Sequence, residues 1–499
     1  GSATIINRVE TFIHGTGGWH RMTYEAVIGL EIHVQLNSAT KLFCDCPNRP
    51  GDEPNRNTCP ICLWLPGALP QLSQEAFEKA ILACLALNCT IQPESAFDQK
   101  VYYYPDLPKG FQLSQHHQPL ARNGWVDIMG EDGRNKRLRI RHIHMEEDVA
   151  KLIHETEGKT PISLVDFNRA GTPLIEIVSE ADMRNPHEAM EYVKTLRGQL
   201  RYTGSAECSL EQGTLRVDAN ISLRPRSTDE LNTKVEVKNM NSIRNVGDAI
   251  AYETIRQTNC LEKGEPIVLH TRLWDPEKRV TSPMRGKFSG PCIPDPSVPK
   301  IVVSNDWLKE MQGRLPEMPG QKRERFLREY DLTPEEASNM SFERDLSEFF
   351  EAVVKQDIPP RKVAGWMTTH LVPALRDRNQ TIKETLLTAE RFTRLLSMLE
   401  KDIINAHAAK EVMLQLLSSE ETPEEIVEKG GFRQVSDTTE LEAFIDRIIA
   451  EHPSVVEDFR KGNTKVMGFL MGLAMKASQG KANPKLLKEI LTKRLNPKP

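Results

Sequence analysis

The chain has 499 residues, 39% of them hydrophobic and 27% charged, with a formal net charge of −5. That length suits roughly three domains with ample core. No apolar run approaches the ~18 residues of a membrane span. The first 21 residues lack the apolar core of a signal peptide. A cytoplasmic protein without a membrane segment is therefore expected. No global basic field advertises a nucleic acid, although a local basic surface would be enough to bind one.

Gly1-Ser2 reads as a cloning scar and Met22 as an original start, leaving 1–23 as an extension or tag. The first strong element is Val27 to Leu36. Ile28, Leu30, Ile32, Val34 and Leu36 alternate with Gly29, Glu31, His33 and Gln35, so one face of a strand is apolar and the other carries a carboxylate beside an imidazole. Cys44, Cys46, Cys59 and Cys62 follow as C-x-C-x12-C-x2-C across a Pro/Gly/Asn-rich loop. Four thiolates in two close pairs suit a tetrahedral structural Zn²⁺ in an insertion at 44–62, with free thiols or a redox pair as the alternatives. Ser73 would cap a helix over 73–88. Residues 98–115, with tyrosines, prolines, Lys100 and Lys109, read as an ordered loop. Lys136 to Asp148 runs from a basic strand into Glu146, Glu147 and Asp148, three adjacent acids that call for a cation or basic neighbours.

Further strands bring similar groups to the same surface. Leu174–Val178 carries Glu176. Leu215–Arg224 sets Arg216, Asp218, Asn220, Ser222 and Arg224 opposite an apolar face. Thr233–Asn239 sets Lys234, Glu236 and Lys238 opposite Val235 and Val237. Helices are predicted over 185–202 and 249–264. The fold class expected for 24–300 is α+β, an antiparallel sheet with helices on one face and a polar cradle on the other. Paired acids with a histidine suit a divalent cation such as Mg²⁺, which commonly bridges carboxylates and phosphates. The competing reading is a solvated sheet face laced with salt bridges. From about residue 304 helical periods take over, in Pro334–Lys355, Lys383–Glu400, Ala409–Leu417, 420–429, 437–451 and 465–478. A last helix, Pro484–Arg494, has a basic outer side of Lys485, Lys488, Lys493 and Arg494. Those charges are either a solvated face or a contact to phosphates.

These motifs resemble one family. Y-E-A-V-I-G-L-E-I-H-V-Q-L (24–36), the Cys59–Cys62 stretch within 53–70, Y-Y-P-D-L-P-K-G-F-Q-L-S-Q (103–115), H-M-E-E-D (144–148), V-D-F-N-R-A-G-T-P-L-I-E-I-V-S-E (165–180), R-V-D-A-N-I-S-L-R-P (216–225) and K-V-E-V-K-N-M-N-S (234–242) look like GatB. That family supplies the B component of the aspartyl/glutamyl-tRNA amidotransferase. The stretch 467–484 is similar to its YqeY-like tail. The resemblance implies a cradle over 24–300, an all-helical domain over 301–414 and a tRNA-binding tail over 415–499. It implies an ATP-dependent ligase: the side-chain carboxylate of Glu-tRNA(Gln) or Asp-tRNA(Asn) is phosphorylated, and ammonia then displaces phosphate. The partners implied are aminoacyl-tRNA, a GatA-like amidase subunit and a small GatC-like subunit. Mg²⁺ ligands carry over to Glu31, His33, Glu147 and Glu176, and Zn²⁺ ligands to Cys44, Cys46, Cys59 and Cys62. Glu211, Asp218, Lys238 and Arg285 complete the implied catalytic set, with Lys100 and Lys109 on the channel or substrate side and Lys485, Lys488, Lys493 and Arg494 toward tRNA.

Two departures stand out. The family's M-E-E-G is Leu210-Glu211-Gln212-Gly213 here. Its D-Y-R-Y-F-P-E-P-D loop is replaced by a shorter 284–299 segment in which only Pro294-Asp295-Pro296 keeps the pattern. Weakened kinase activity is the expectation from that loop. The alternatives are then a stand-alone paralogue that uses aminoacyl-tRNA for other acyl or aminoacyl transfer, and a non-catalytic tRNA-binding assembly subunit.

Overall fold

A computed structural model describes residues 24–158, 160–284, 290–378, 380–434, 438–460, 466–477 and 484–495. The chain divides into two compact units, Gly1–Met318 and Pro319–Pro499. Among the described residues, no helix is long and apolar enough to cross a membrane.

In the first unit the strands are β1 (Tyr24–Gln35), β2 (Thr90–Ile91), β3 (Glu94–Val101), β4 (Phe111–Gln118), β5 (Ala121–Met129), β6 (Asn135–Glu147), β7 (Lys151–Glu157) and β8 (Thr160–Asp166). They continue as β9 (Pro173–Ser179), β10 (Leu215–Pro225), β11 (Val235–Lys238), β12 (His270–Asp275), β13 (Val280–Pro283), β14 (Cys292–Pro294) and β15 (Ile301–Val302). Among the described residues, thirteen of these form one sheet whose main path is β13-β12-β11-β10-β1-β9-β6-β4-β3-β14. The hairpin β7-β8 stands apart. Neighbouring strands run antiparallel except β11 and β12, which are parallel. The segment 98–115, expected as a loop, is the inner half of the β3-β4 hairpin, with only the turn between them irregular.

The alternation of β1 does what its pattern requires. Ile28, Leu30, Ile32, Val34 and Leu36 are at most 2% exposed. They sit in one core with the helices Gln74–Ala86, Pro186–Tyr202 and Ile243–Glu262. Side-chain caps start each helix: Ser73 accepts from the Ala76 amide, Asn185 from Glu188 and Ser242 from Asn245. The third helix therefore begins six residues before the predicted 249. Helix Asn305–Gly313 also belongs to this unit, with Trp307 stacked on Phe77 at 5.5 Å, so the unit runs past residue 300 to Met318.

The second unit is helical, with capping boxes at Thr333/Glu336 and Thr422/Glu425. The predicted helix 334–355 is broken into Pro334–Ser341 and Arg344–Val354. Two separate cores form, one from Phe326 to Val427 and one from Leu441 to Leu495. Residues 415–427, assigned to the tail from sequence, contribute Leu416, Leu417, Ile426 and Val427 to the first of these cores.

Candidate functional site

The polar face of the sheet is built by strand register. On β1, β9 and β6, His33 pairs with Glu176 and Glu176 with His144, so one carboxylate stands between two imidazoles in a single row. His33 Nε2 lies 3.3 Å from Glu176 Oε2 and 3.4 Å from Glu146 Oε1. His144 Nε2 lies 3.4 Å from Glu176 Oε2 and 3.8 Å from Glu146 Oε2. His33, Glu146 and Glu176 each offer a ligand atom within 4.8 Å of the others. The buried His144 Nδ1 and Glu146 Oε2 have no hydrogen-bond partner among the described residues. An imidazole, two carboxylates and unsatisfied buried polar atoms fit a divalent cation with coordination positions to spare.

The same groups also pair with one another. Burial would raise Glu176, but His144 and His33 hold it well below the carboxylate range. Burial would lower His144, and the carboxylates of Glu176 and Glu146 reverse this to about 10. His142, buried and facing the like charge of His144, drops to about 4. Glu31 lies one pair along, opposite Asp218, and accepts from Asn220 Nδ2 at 3.0 Å. Burial and the charge of Glu176 raise its pKa. Lys238 donates to Asp218 at 2.5 Å and pairs with Glu236 at 3.0 Å. Burial lowers Lys100 but Glu146 and Glu176 outweigh it, so its pKa rises.

Two expected ligands stand elsewhere. Glu147 is on the opposite face of β6 from His144 and Glu146. It accepts from Lys109, whose ammonium also lies 5.4 Å from the Trp64 and Phe111 rings, and from the Leu113 amide at 2.9 Å. Its neighbour Glu146, given no ligand role from the sequence, is the acid that stands with His33 and Glu176. Glu31 borders the cluster without belonging to it. The three adjacent acids thus find three different basic environments: Glu146 the histidines, Glu147 Lys109, and Asp148 Arg216 at 3.0 Å. Glu211 is exposed in the turn before β10 and is not brought into the cradle. Arg285 lies outside the described residues.

Cys44, Cys46, Cys59 and Cys62 converge within 4.8 Å, a possible metal site. The Cys44 hydrogen bond, opposed by burial and aided by the Cys59 amide and the Lys41 charge, draws Cys62 down to about 5. In the second unit, Lys488 and Lys493 are exposed on helix Pro484–Leu495. Arg494 is held by Glu442 at 3.0 Å and Asp446 at 3.2 Å. The Lys485 side chain lies outside the described residues.

Residues 26–309 match the family described as the GatB/GatE catalytic domain, and residues 348–495 match the GatB domain family. The chain belongs to the GatB family. It is 62% identical over 475 residues to a GatB protein of Syntrophus aciditrophicus, a component of its aspartyl/glutamyl-tRNA(Asn/Gln) amidotransferase, covering 95% of this chain and 99% of that one. It is 44% identical to the corresponding amidotransferase component of Carboxydothermus hydrogenoformans, again over 95% of this chain and 99% of the relative. The GatB catalytic-domain match holds the whole cradle and the cysteine cluster. The GatB-domain match begins at 348, well before residue 415, so the tail and the later part of the helical region fall within one family match.

Proposed function

We propose that this chain is the GatB component of an aspartyl/glutamyl-tRNA amidotransferase, acting on aminoacyl-tRNA together with GatA-like and GatC-like subunits. The observation that carries the reading is the His33–Glu146–Glu176 cluster on the polar face of the sheet. A carboxylate is a poor acceptor for ammonia. In the reaction proposed, a carboxylate oxygen of the aminoacyl side chain attacks the γ-phosphorus of ATP and ADP leaves. Ammonia then adds to the acyl phosphate and expels phosphate, leaving the amide and one proton.

His33, Glu146 and Glu176 would hold Mg²⁺, which when bound offsets phosphate charge. The chain's own residues do the rest. Lys100 and Lys238 place fixed positive charge along the same face. Glu31, with its raised pKa, is suited to take the proton that the ammonia sheds. Lys109 and Glu147 form a buried polar pair beside Trp64 and Phe111, suited to the channel side.

The test is mass spectrometry of the aminoacyl group after incubating the complex with Glu-tRNA(Gln) or Asp-tRNA(Asn), ATP and an ammonia source. Conversion to the amide that is lost in Glu176→Gln supports the reading. ATP-independent transfer of the aminoacyl group to another acceptor would replace it with the paralogue reading. The 284–299 segment motivates that second reading because it lacks the D-Y-R of the family pattern; its Cys292–Pro294 strand pairs along β3 with Cys292 opposite Lys100.

A further inference from the structure

Lys41 is fully buried. Its ammonium donates to the Asn57 carbonyl at 2.7 Å and the Phe167 carbonyl at 3.1 Å, and lies 3.8 Å from Cys62 Sγ. Among the described residues it forms no ion pair with a carboxylate. A buried ammonium surrounded only by neutral carbonyls is costly, so an anion is needed nearby. The cysteine cluster is the one its geometry offers. Four thiolates around a divalent cation carry two net negative charges, and one ammonium at hydrogen-bonding range of sulfur halves that excess. Cys62 Sγ also accepts from the Cys59 amide at 3.1 Å.

The second carbonyl partner ties the cluster to the cradle. Phe167 opens the turn that runs through Gly171 into β9, the strand of Glu176. Gly171 adopts φ +85°, and a Cβ there would lie 3.4 Å from the Lys41 side chain, so the turn closes directly over it. Asn168 Oδ1 accepts from the Asn57 amide at 2.8 Å and Asp166 Oδ1 from the Asn55 amide at 3.0 Å, clamping the cysteine loop to the same turn.

We infer that Lys41 is the positioning cation of the four-cysteine site, donating to the Cys62 sulfur of the metal-loaded cluster and coupling its loading to the order of the 166–172 turn. This rests on the reading of that cluster as a zinc site. The experiment uses the full chain. Zinc content and chelator competition of the parent come first, followed by Lys41→Met and Lys41→Arg. Loss of an outer partner of a metal ligand typically weakens binding about 10- to 100-fold. That weakening is expected for Lys41→Met, with Lys41→Arg substantially restored. With Co²⁺ in place of zinc, the sulfur-to-metal charge-transfer band should shift in Lys41→Met, a change that loss of packing alone would not produce. A folded Lys41→Met with the parent's zinc affinity and an unmoved band overturns the inference while leaving the zinc site intact. A parent that binds no zinc overturns both. Should Lys41→Met not fold, hydrogen exchange in the parent decides. Protection lost at 55–58 and 166–172 on stripping zinc supports the coupling, and unchanged protection there overturns it.

Discussion

Glu146 and Glu147 are chain neighbours on opposite faces of β6, and their substitutions should separate cleanly. Glu146→Gln removes a ligand from the cluster with His33 and Glu176. Divalent-cation binding, measured by calorimetric titration, should weaken by more than the roughly 10- to 100-fold that outer partners are worth. Glu147→Ala instead leaves the Lys109 ammonium buried without its carboxylate. It should cost about 3–5 kcal/mol in a denaturant melt, with cation affinity near the parent's. The difference was legible in the sequence. Applied to Arg141–Glu147, the alternation used for Val27–Leu36 puts His142, His144 and Glu146 together. The resemblance pointed one residue along, and in a strand a slip of one moves a side chain through the sheet. Lys41 gives no such signal. A lysine in T-K-L-F-C is ordinary in sequence, and only the folded loop shows that its charge is enclosed.

At the level of elements, apolar periodicity identified β1 and β10 and the helices at 73–88 and 185–202, because each has one clear core face, while β9, buried on both faces, was legible as a short apolar run. It failed at β3-β4, where tyrosines, prolines and Gly110 in the turn obscured the flanking strands. It also failed at the start of helix Ile243–Glu262, whose first turn mixes Arg244 and Asn245 with Ile243 and Val246 and is organised by the Ser242 cap. The segment after β14 owes its shape to Asp295. Its Oδ1 accepts from the Ser297 amide at 2.7 Å and the Val298 amide at 2.9 Å, and its Oδ2 from Gln99 at 2.6 Å. Burial raises the carboxyl, but the hydrogen bonds from Ser297, Gln99 and Val298 prevail and hold it below 3.8. A depressed carboxylate stabilises fully above its unfolded pKa and loses that contribution as pH falls through the folded one. Asp295→Ala should therefore cost about 0.5–2 kcal/mol at pH 7, on the scale of a lost cap. The gap from the parent should narrow only below about pH 3.8, as followed by thermal melts across pH. The same shortened segment bears on chemistry. A well-placed arginine is worth ~10³–10⁵ in phosphoryl transfer. With the family's D-Y-R absent, ATP hydrolysis stimulated by Glu-tRNA(Gln) should be weak, and Arg285→Ala should remove what remains. Turnover as robust as an ordinary family member's would show the lost arginine to be dispensable.

For the molecule as a whole, the proposed function requires an acidic chain to meet tRNA through local cations. Lys488 and Lys493 are exposed, whereas Arg494 is engaged by Glu442 and Asp446. If both lysines contact phosphates, the double alanine variant should reduce the slope of log affinity against log salt by roughly 1 per lysine. An unchanged slope would identify a solvated face. The truncation that tests the tail should begin at 438, since cutting at 415 would strip Leu416, Leu417, Ile426 and Val427 from the helical core. Sequence located the change from sheet to helix near residue 300. It could not locate the division between the two helical cores, because helical periodicity is the same on either side of it.

The central position of β1 in the sheet also sets the order of events during synthesis. It emerges from the ribosome first, yet its ladder partners, β9 and β10, lie far downstream, with Glu31 facing Val178 and Asp218. At ordinary elongation rates that separation amounts to roughly 10–40 seconds during which an apolar strand has neither neighbour. Non-local pairing of this kind folds slowly. The row of His33, Glu176 and His144 is complete only when both β6 and β9 have joined β1, so metal binding by the nascent chain would report closure of the sheet. Until then the strand is open to a chaperone, and that exposure comes from the topology rather than from any weakness of the finished fold.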